Sequence, residues 1–154
     1  MIVASRLCRP SYAAFDGAGG LLRDGRWHER GHRVVYAADS EALAALEILV
    51  HLTSMEQFPE YVCVKASIEE SLVLDVRDFD RLPAGWNKRD AVGTRAIGTH
   101  WLLEGRSAVL KVPSVVIPRE SNYMLNPAHP RFSEIEISRP LTFEFDVRLL
   151  SKSV

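Results

Sequence analysis

The hydrophobic pattern changes period along the chain and marks out a series of elements. RVVYAA (33–38) sets β-branched residues and a tyrosine between a Gly-rich segment and Asp39-Ser40, which predicts a short strand. Asp39 or Ser40 is placed to cap a following helix, and Glu41 stands near that helix's positive end. The helix is expected to run to about Leu52 or Ser54. YVCVKASI (61–68) alternates as a strand should, and SLVLDV (71–76) predicts a second. LPAGW (82–86) predicts a turn, and residues 89–103 a short helix.

SAVLKVPSVVIP (107–118) carries the strongest strand signal, and Pro113 inside it suggests an edge position or a bulge. ESNYMLNPAHP (120–130) reads as a polar, Pro-bounded loop. EIEIS (134–138) and LTFEFDVRLL (141–150) alternate cleanly and are expected to pair as late strands. Residues 1–33, rich in Gly, Arg and Asp, read mostly as loop with short extended pieces. The sum is a mixed α/β (α+β) protein without internal repeats, strands dominating its second half.

Composition narrows the class without naming it. A chain of 154 residues is long enough for one domain with a true core, and a net charge of −1 gives no global reason for binding nucleic acid or a membrane surface. Two cysteines, Cys8 and Cys63, are too few for a disulfide framework and lack metal-ligand spacing. Arg6, Arg9 and Pro10 interrupt the N-terminal segment before a signal-peptide core, and no apolar run reaches the ~20 residues of a membrane span. A cytoplasmic location is expected.

Within the predicted helix, Glu47 is the anomaly, since its neighbours are almost all Ala, Leu, Ile or Val. Ser40, Glu47, His51 and Ser54 share one narrow stripe at helical spacing. That stripe either faces water or lines a cleft bordered by Leu43 and Val50; the pattern alone allows both. Gly25-Arg26-Trp27 offers a close backbone approach, a guanidinium fork and a flat wall, yet the same three residues also make an ordinary loop anchor. His28 and His32 are four apart with Gly31 between them and no third ligand, so no metal site is expected. FDGAGG lacks the strand before it and the Lys-Ser/Thr after it that a phosphate loop needs. Ser114, taken alone, reads as a strand hydroxyl satisfying a kinked backbone.

In order, GRW, VVYAA, ALAALEILVH, LPAGW and VLKVPSVVIPRESNYMLNPAHP closely resemble the RES domain family, from Arg6 to FEFDVRLL. The family is named for an Arg, a Glu and a Ser, which match Arg26, Glu47 and Ser114 here. The resemblance implies a single domain over residues 1–154, similar to the ADP-ribosyltransferase fold, with a mixed sheet and flanking helices. It further implies a toxin of a toxin–antitoxin pair that arrests growth by cleaving the nicotinamide–ribose bond of NAD⁺, by hydrolysis or phosphorolysis. NAD⁺ would be the substrate, no metal would take part, and the partner would be an Xre-like helix-turn-helix antitoxin. The resemblance allows a homodimer within that complex. Alternatives are transfer of ADP-ribose to a protein, or a catalytically weak member kept as an antitoxin-binding module.

By the same resemblance, Glu47 stabilises the charge that develops on the ribose, while Arg26 holds the diphosphate or orients the ribose. Tyr36 stacks on or hydrogen-bonds the nicotinamide end, Ser114 bonds the substrate from the facing strand, and Arg6 is a second phosphate contact. Trp27 and Asn126 complete the expected binding set. The family commonly reads G-a-R-x-x-G-G-R-W-N around this arginine. Here Leu21 stands for the earlier Arg, Asp24 for the first Gly of the pair and His28 for the Asn. These changes remove one positive charge and add a negative one, so reduced activity or an altered acceptor is an expected consequence.

Overall fold

The computed structural model describes residues 1–52 and 60–150. Their strands are β1 (Ile2–Cys8), β2 (Val35–Ala38), β3 (Tyr61–Ile68), β4 (Val73–Asp75), β5 (Val109–Pro113), β6 (Ser121–Leu125), β7 (Glu136–Ile137) and β8 (Leu141–Phe143). The helices are α1 (Glu41–Leu49), α2 (Val76–Phe79), α3 (Val92–Glu104) and α4 (Val147–Leu150). One mixed sheet runs β4-β5-β6-β2-β1-β3-β7, with β8 also against β3. β4 and β5 pair in parallel and the other neighbours antiparallel. A parallel pair needs a crossover, and α2 and α3 lie in the connection between them.

β2, β3, α1, α3 and the 82–86 turn stand where the pattern predicts them, and the Ser40 hydroxyl caps α1 by accepting from Leu43 N at 3.1 Å. Such a cap stabilises a helix by about 1 kcal/mol. The helix ends at Leu49, earlier than expected; Ser54 lies outside the described residues.

Five expectations need correction. ESNYMLNPAHP is not a loop throughout, because its first half is β6, between β5 and β2 in the sheet. Tyr123 and Leu125 pack with Val35, Ala37 and Val109, while Met124 packs with Leu110, Val112 and Trp101. A strand buried on both faces shows no alternation. The N-terminal residues 2–8 likewise form a full strand, β1, in which Ser5 and Arg6 interrupt the apolar signal. Pro113 marks the end of β5 rather than an edge or a bulge: β5 lies between β4 and β6, and Pro113 pairs only with Ser121.

The late segments do not pair with each other. β7 lies beside Ala66–Ser67 and β8 beside Tyr61–Cys63, both on β3. The strand expected at 141–150 stops at Phe143, and Asp146 accepts from Arg148 N at 2.8 Å at the start of α4. Phe143 and Phe145 meet edge to face, with Phe145 also edge-on to Tyr61, which keeps this turn on the sheet.

α3 covers the sheet through Ile97, Gly98 and Trp101, spaced to share one face. Gly98 is the closest approach, because a Cβ there would overlap the Trp27 carbonyl oxygen. Gly98→Ala is therefore expected to destabilise the protein by ~1–3 kcal/mol, the scale of overpacking. Denaturant midpoints of the two proteins check this, and equal midpoints would show that α3 and the Trp27 segment are not in tight register.

Candidate active site

Rows of paired residues cross one face of the sheet and define where a site can sit. Val112, Asn122 and Ala38 are register partners in one row, and Leu110, Met124 and Tyr36 in the next. Two residues along a strand separate the rows by about 7 Å. Ser5 continues the first row through its pairing with Ala38. α1 packs over this end of the sheet through Leu43, Ala44 and Ala45, against Leu7, Ala38 and Cys63. The second row lies in a separate cluster with Trp27, Ile97 and Trp101, under α3.

Glu47 comes off α1 onto the first row. Its Oε1 accepts from Ser114 Oγ at 2.7 Å and from Asn122 Nδ2 at 2.8 Å. Ser114 is fully buried just past β5, and its oxygen accepts from the backbone N–H groups of Val116 (3.1 Å) and Ile117 (3.0 Å). Those two donors leave the serine proton to point at the carboxylate. Asn122 is oriented by the same logic: only its NH₂ can pair with Oε1, and its Oδ1 is buried without a partner among the described residues. Both bonds converge on one oxygen, and among the described residues Oε2 accepts none.

The segment carrying Arg26 is strapped to α3. Thr94 Oγ1 donates to the Arg26 carbonyl at 2.6 Å, Arg95 Nε to the Gly25 carbonyl at 3.2 Å, and Glu29 N to Thr99 Oγ1 at 2.9 Å. The Arg26 guanidinium turns to the 82–88 segment and donates to the carbonyls of Lys88 (2.6 Å) and Trp86 (3.4 Å). A shallow pocket beside this clamp is lined by Pro83, Trp86, Lys88, Asp90 and Thr94, and includes neither Glu47 nor Ser114. The structure joins Glu47 to Ser114 directly and holds Arg26 on a separate set of bonds.

Trp27 is 2% exposed and packs in the core, 6.4 Å between ring centroids from Trp86. Asn126 is buried and shapes the turn after β6, accepting from Ala128 N at 3.0 Å and donating to the Leu102 carbonyl at 3.4 Å. Arg6 donates to the Tyr36 carbonyl at 3.0 Å, while its Nε is buried with no partner among the described residues. Tyr36 is half-buried, and its hydroxyl lies 2.6 Å from His28 Nδ1. Leu21 is exposed, and Asp24 Oδ1 accepts from Arg30 N at 2.7 Å, a bond that holds its carboxyl below the usual range.

Asn122 is the residue that sequence reasoning missed. It lay in a segment read as loop, and its signal is a polar position beside the buried run Tyr123–Leu125.

His28 is 3% exposed, and burial pushes its pKa below the ordinary 6.5. A folded pKa below the unfolded one means the unfolded chain binds more protons, so this contribution to stability is present above 6.5 and lost as pH falls through the folded pKa. The melting temperature is expected to drop as pH falls from 6.5 through the folded pKa, and to drop less in His28→Gln. Identical pH slopes in the two proteins would contradict it.

The sheet, the helix over β1 and β2 and the pinned carboxylate define a mixed α/β protein with a polar constellation where helix and strands meet. Comparison with known proteins narrows this further. The chain belongs to the RES domain family, whose model matches residues 3–146. It is 37% identical over 153 residues to Toxin Res of Photorhabdus laumondii, covering 97% of each chain. It is 36% identical over 148 residues to the Prs ADP-ribosylating toxin of a Sphingobium species, covering 93% of this chain and 92% of that one. A chain of the M. tuberculosis MbcT–MbcA toxin–antitoxin complex superposes with a TM-score of 0.76 over 92% of this chain and 84% of its own, at 16% identity, which is a likeness of fold. The chain is thus a RES-family protein, similar over nearly its whole length to relatives named as toxins.

Proposed function

We propose that this protein is the toxin of a toxin–antitoxin pair and that it cleaves the nicotinamide–ribose bond of NAD⁺. The observation that carries the reading is Glu47, whose Oε1 is held by Ser114 and Asn122 while Oε2 is left for a substrate group. Breaking a bond to an anomeric carbon builds positive charge on the sugar, and a fixed carboxylate stabilises that charge directly or through a ribose hydroxyl. Electrons of the C–N bond leave with nicotinamide, whose ring nitrogen becomes neutral, and the ribose carbon takes an oxygen nucleophile in exchange. Pinning matters because a carboxylate that already points at the sugar needs no reorganisation in the transition state.

Arg26 exchanges its two carbonyl partners for the substrate diphosphate, a stronger, charge-assisted acceptor. Tyr36 sits one sheet row from Asn122 and offers its ring to the nicotinamide end. Arg6, from β1, is the second phosphate contact. Trp27 and Asn126 act from within the fold, Trp27 by seating the Arg26 segment and Asn126 by shaping the turn after β6.

The acceptor is water or phosphate in this reading. Transfer of ADP-ribose to a protein is the second reading, favoured by the relative named for that activity. Incubating the purified chain with NAD⁺, with and without phosphate and with a bacterial extract, separates them. Free nicotinamide with a phosphate-dependent rate supports phosphorolysis, a phosphate-independent rate supports hydrolysis, and labelled protein in the extract supports transfer. No nicotinamide under any condition would refute all three.

The partner in this proposal is an antitoxin of the Xre-like helix-turn-helix kind, which also supplies DNA binding, since this chain's near-neutral charge does not. A cytoplasmic site of action follows from the substrate, and among the described residues no helix is long and apolar enough to cross a membrane.

A further inference from the structure

Two side chains and one turn lock together beside the site, and their hydrogen-bond roles are fixed by elimination. His28 has both ring nitrogens engaged: Nε2 lies 3.3 Å from the Gly20 carbonyl and Nδ1 lies 2.6 Å from the Tyr36 hydroxyl. A carbonyl oxygen only accepts, so Nε2 carries the proton. In a neutral ring Nδ1 is then a bare acceptor, and the Tyr36 hydroxyl donates to it. The Gly25 N–H donates to the His28 carbonyl at 3.0 Å and closes the same turn. Tyr36 Oη is thus tied, through the imidazole, to the turn next to Arg26. Nothing larger than glycine fits above the bridge, because a Cβ at Gly25 would stand 2.6 Å from both His28 Nδ1 and Tyr36 Oη.

We propose that His28 is a positioning residue for Arg26 and Tyr36: its unprotonated Nδ1 accepts the Tyr36 proton and so fixes the Gly25–His28 turn from which Arg26 reaches the substrate. The inference rests on the proposed function for its catalytic consequence, but not for its geometry. Neither residue is assigned to the chemistry by this step; His28 acts only through Tyr36 and the turn.

Protonating the ring reverses the pattern. Both ring nitrogens then donate, so Nδ1 no longer accepts and the Tyr36 hydroxyl proton is left without the acceptor it had. In a buried setting an unpaired donor is costly, so the turn shifts and Arg26 with it. The charged groups facing the imidazole are Asp24, which favours its protonation, and His32, which opposes it; Arg95 faces the Tyr36 hydroxyl from α3. Burial outweighs them and keeps the ring neutral.

Two variants separate positioning from mere packing. His28→Gln keeps an acceptor and a donor but does not titrate, whereas His28→Phe keeps the ring volume and has neither. With NAD⁺ as substrate, His28→Phe is expected to raise KM so that kcat/KM falls on the order of 10²-fold, the usual cost of a displaced binding group. His28→Gln should recover most of that loss and flatten the acid limb of the kcat/KM profile. A His28→Phe protein with the wild-type KM, or a His28→Gln protein with an unchanged acid limb, would overturn the proposal.

A second readout needs no turnover. Nitrogen-15 NMR of the full chain near neutral pH should show His28 protonated at Nε2 and bare at Nδ1, with the Nδ1 resonance moving in Tyr36→Phe. A proton on Nδ1, or no response to Tyr36→Phe, would overturn the geometry even if NAD⁺ is cleaved. The expected tautomer together with intact NAD⁺ would instead leave the latch standing and remove the proposed reaction.

Discussion

Glu47→Gln is expected to fold normally and to cleave NAD⁺ at least ~10²-fold more slowly, the scale set by removing one prearranged charge from a transition state. The substitution is nearly isosteric, and a Gln oxygen still accepts from Ser114 Oγ and Asn122 Nδ2, the two bonds that hold the side chain. What disappears is the negative charge facing the sugar. The loss should therefore fall on kcat, with KM changed little, because the charge matters most when the ribose becomes cationic. Steady-state rates and a thermal melt on the same preparation test both halves. A variant with wild-type kcat would remove Glu47 from the mechanism.

Arg26→Ala is expected to act on binding. Replacing a guanidinium that pairs with a diphosphate costs about 1.5–3 kcal/mol, or on the order of 10–10²-fold, and should appear mainly in KM for NAD⁺. The fold should tolerate the change better than a core substitution, since among the described residues the guanidinium bonds only the Trp86 and Lys88 carbonyls. In cells, expression of the intact chain alone should lower NAD⁺ and stop growth, and Arg26→Ala should relieve both. Growth arrest without loss of NAD⁺ would point to a modified protein target instead.

The two halves of the site were legible to different degrees. Glu47 stood out because a carboxylate in ALAALEILVH has no packing reason to be there, although the helical stripe alone did not say whether it met water or a cleft. The structure shows what it meets: a buried serine hydroxyl and an asparagine amide. Asn122 was hidden by the very feature that makes it useful. A polar residue at a site, within a strand buried on both faces, breaks the periodicity from which strands are read. Arg6 and Ser5 hid β1 in the same way.

The arginine segment shows the opposite limit. GRW was visible as a motif, but nothing local says that the Trp27 carbonyl rests against Gly98, or that Thr94 and Arg95 on α3 hold the backbone of Gly25 and Arg26. Those contacts join residues about 70 positions apart, and local propensity has no term for them. The same holds for the C-terminal segments. LTFEFDVRLL alternates well enough to read as one strand, yet Asp146 supplies a helix cap inside it and ends the strand early.

The most direct test of the central claim is proton NMR of NAD⁺ incubated with the purified wild-type chain, followed until the substrate signals change. The account predicts that nicotinamide appears mole for mole with NAD⁺ lost, alongside ADP-ribose or its phosphorylated form. NAD⁺ that stays intact in the presence of folded wild-type protein, with water, phosphate and bacterial extract each supplied as acceptor, would contradict it.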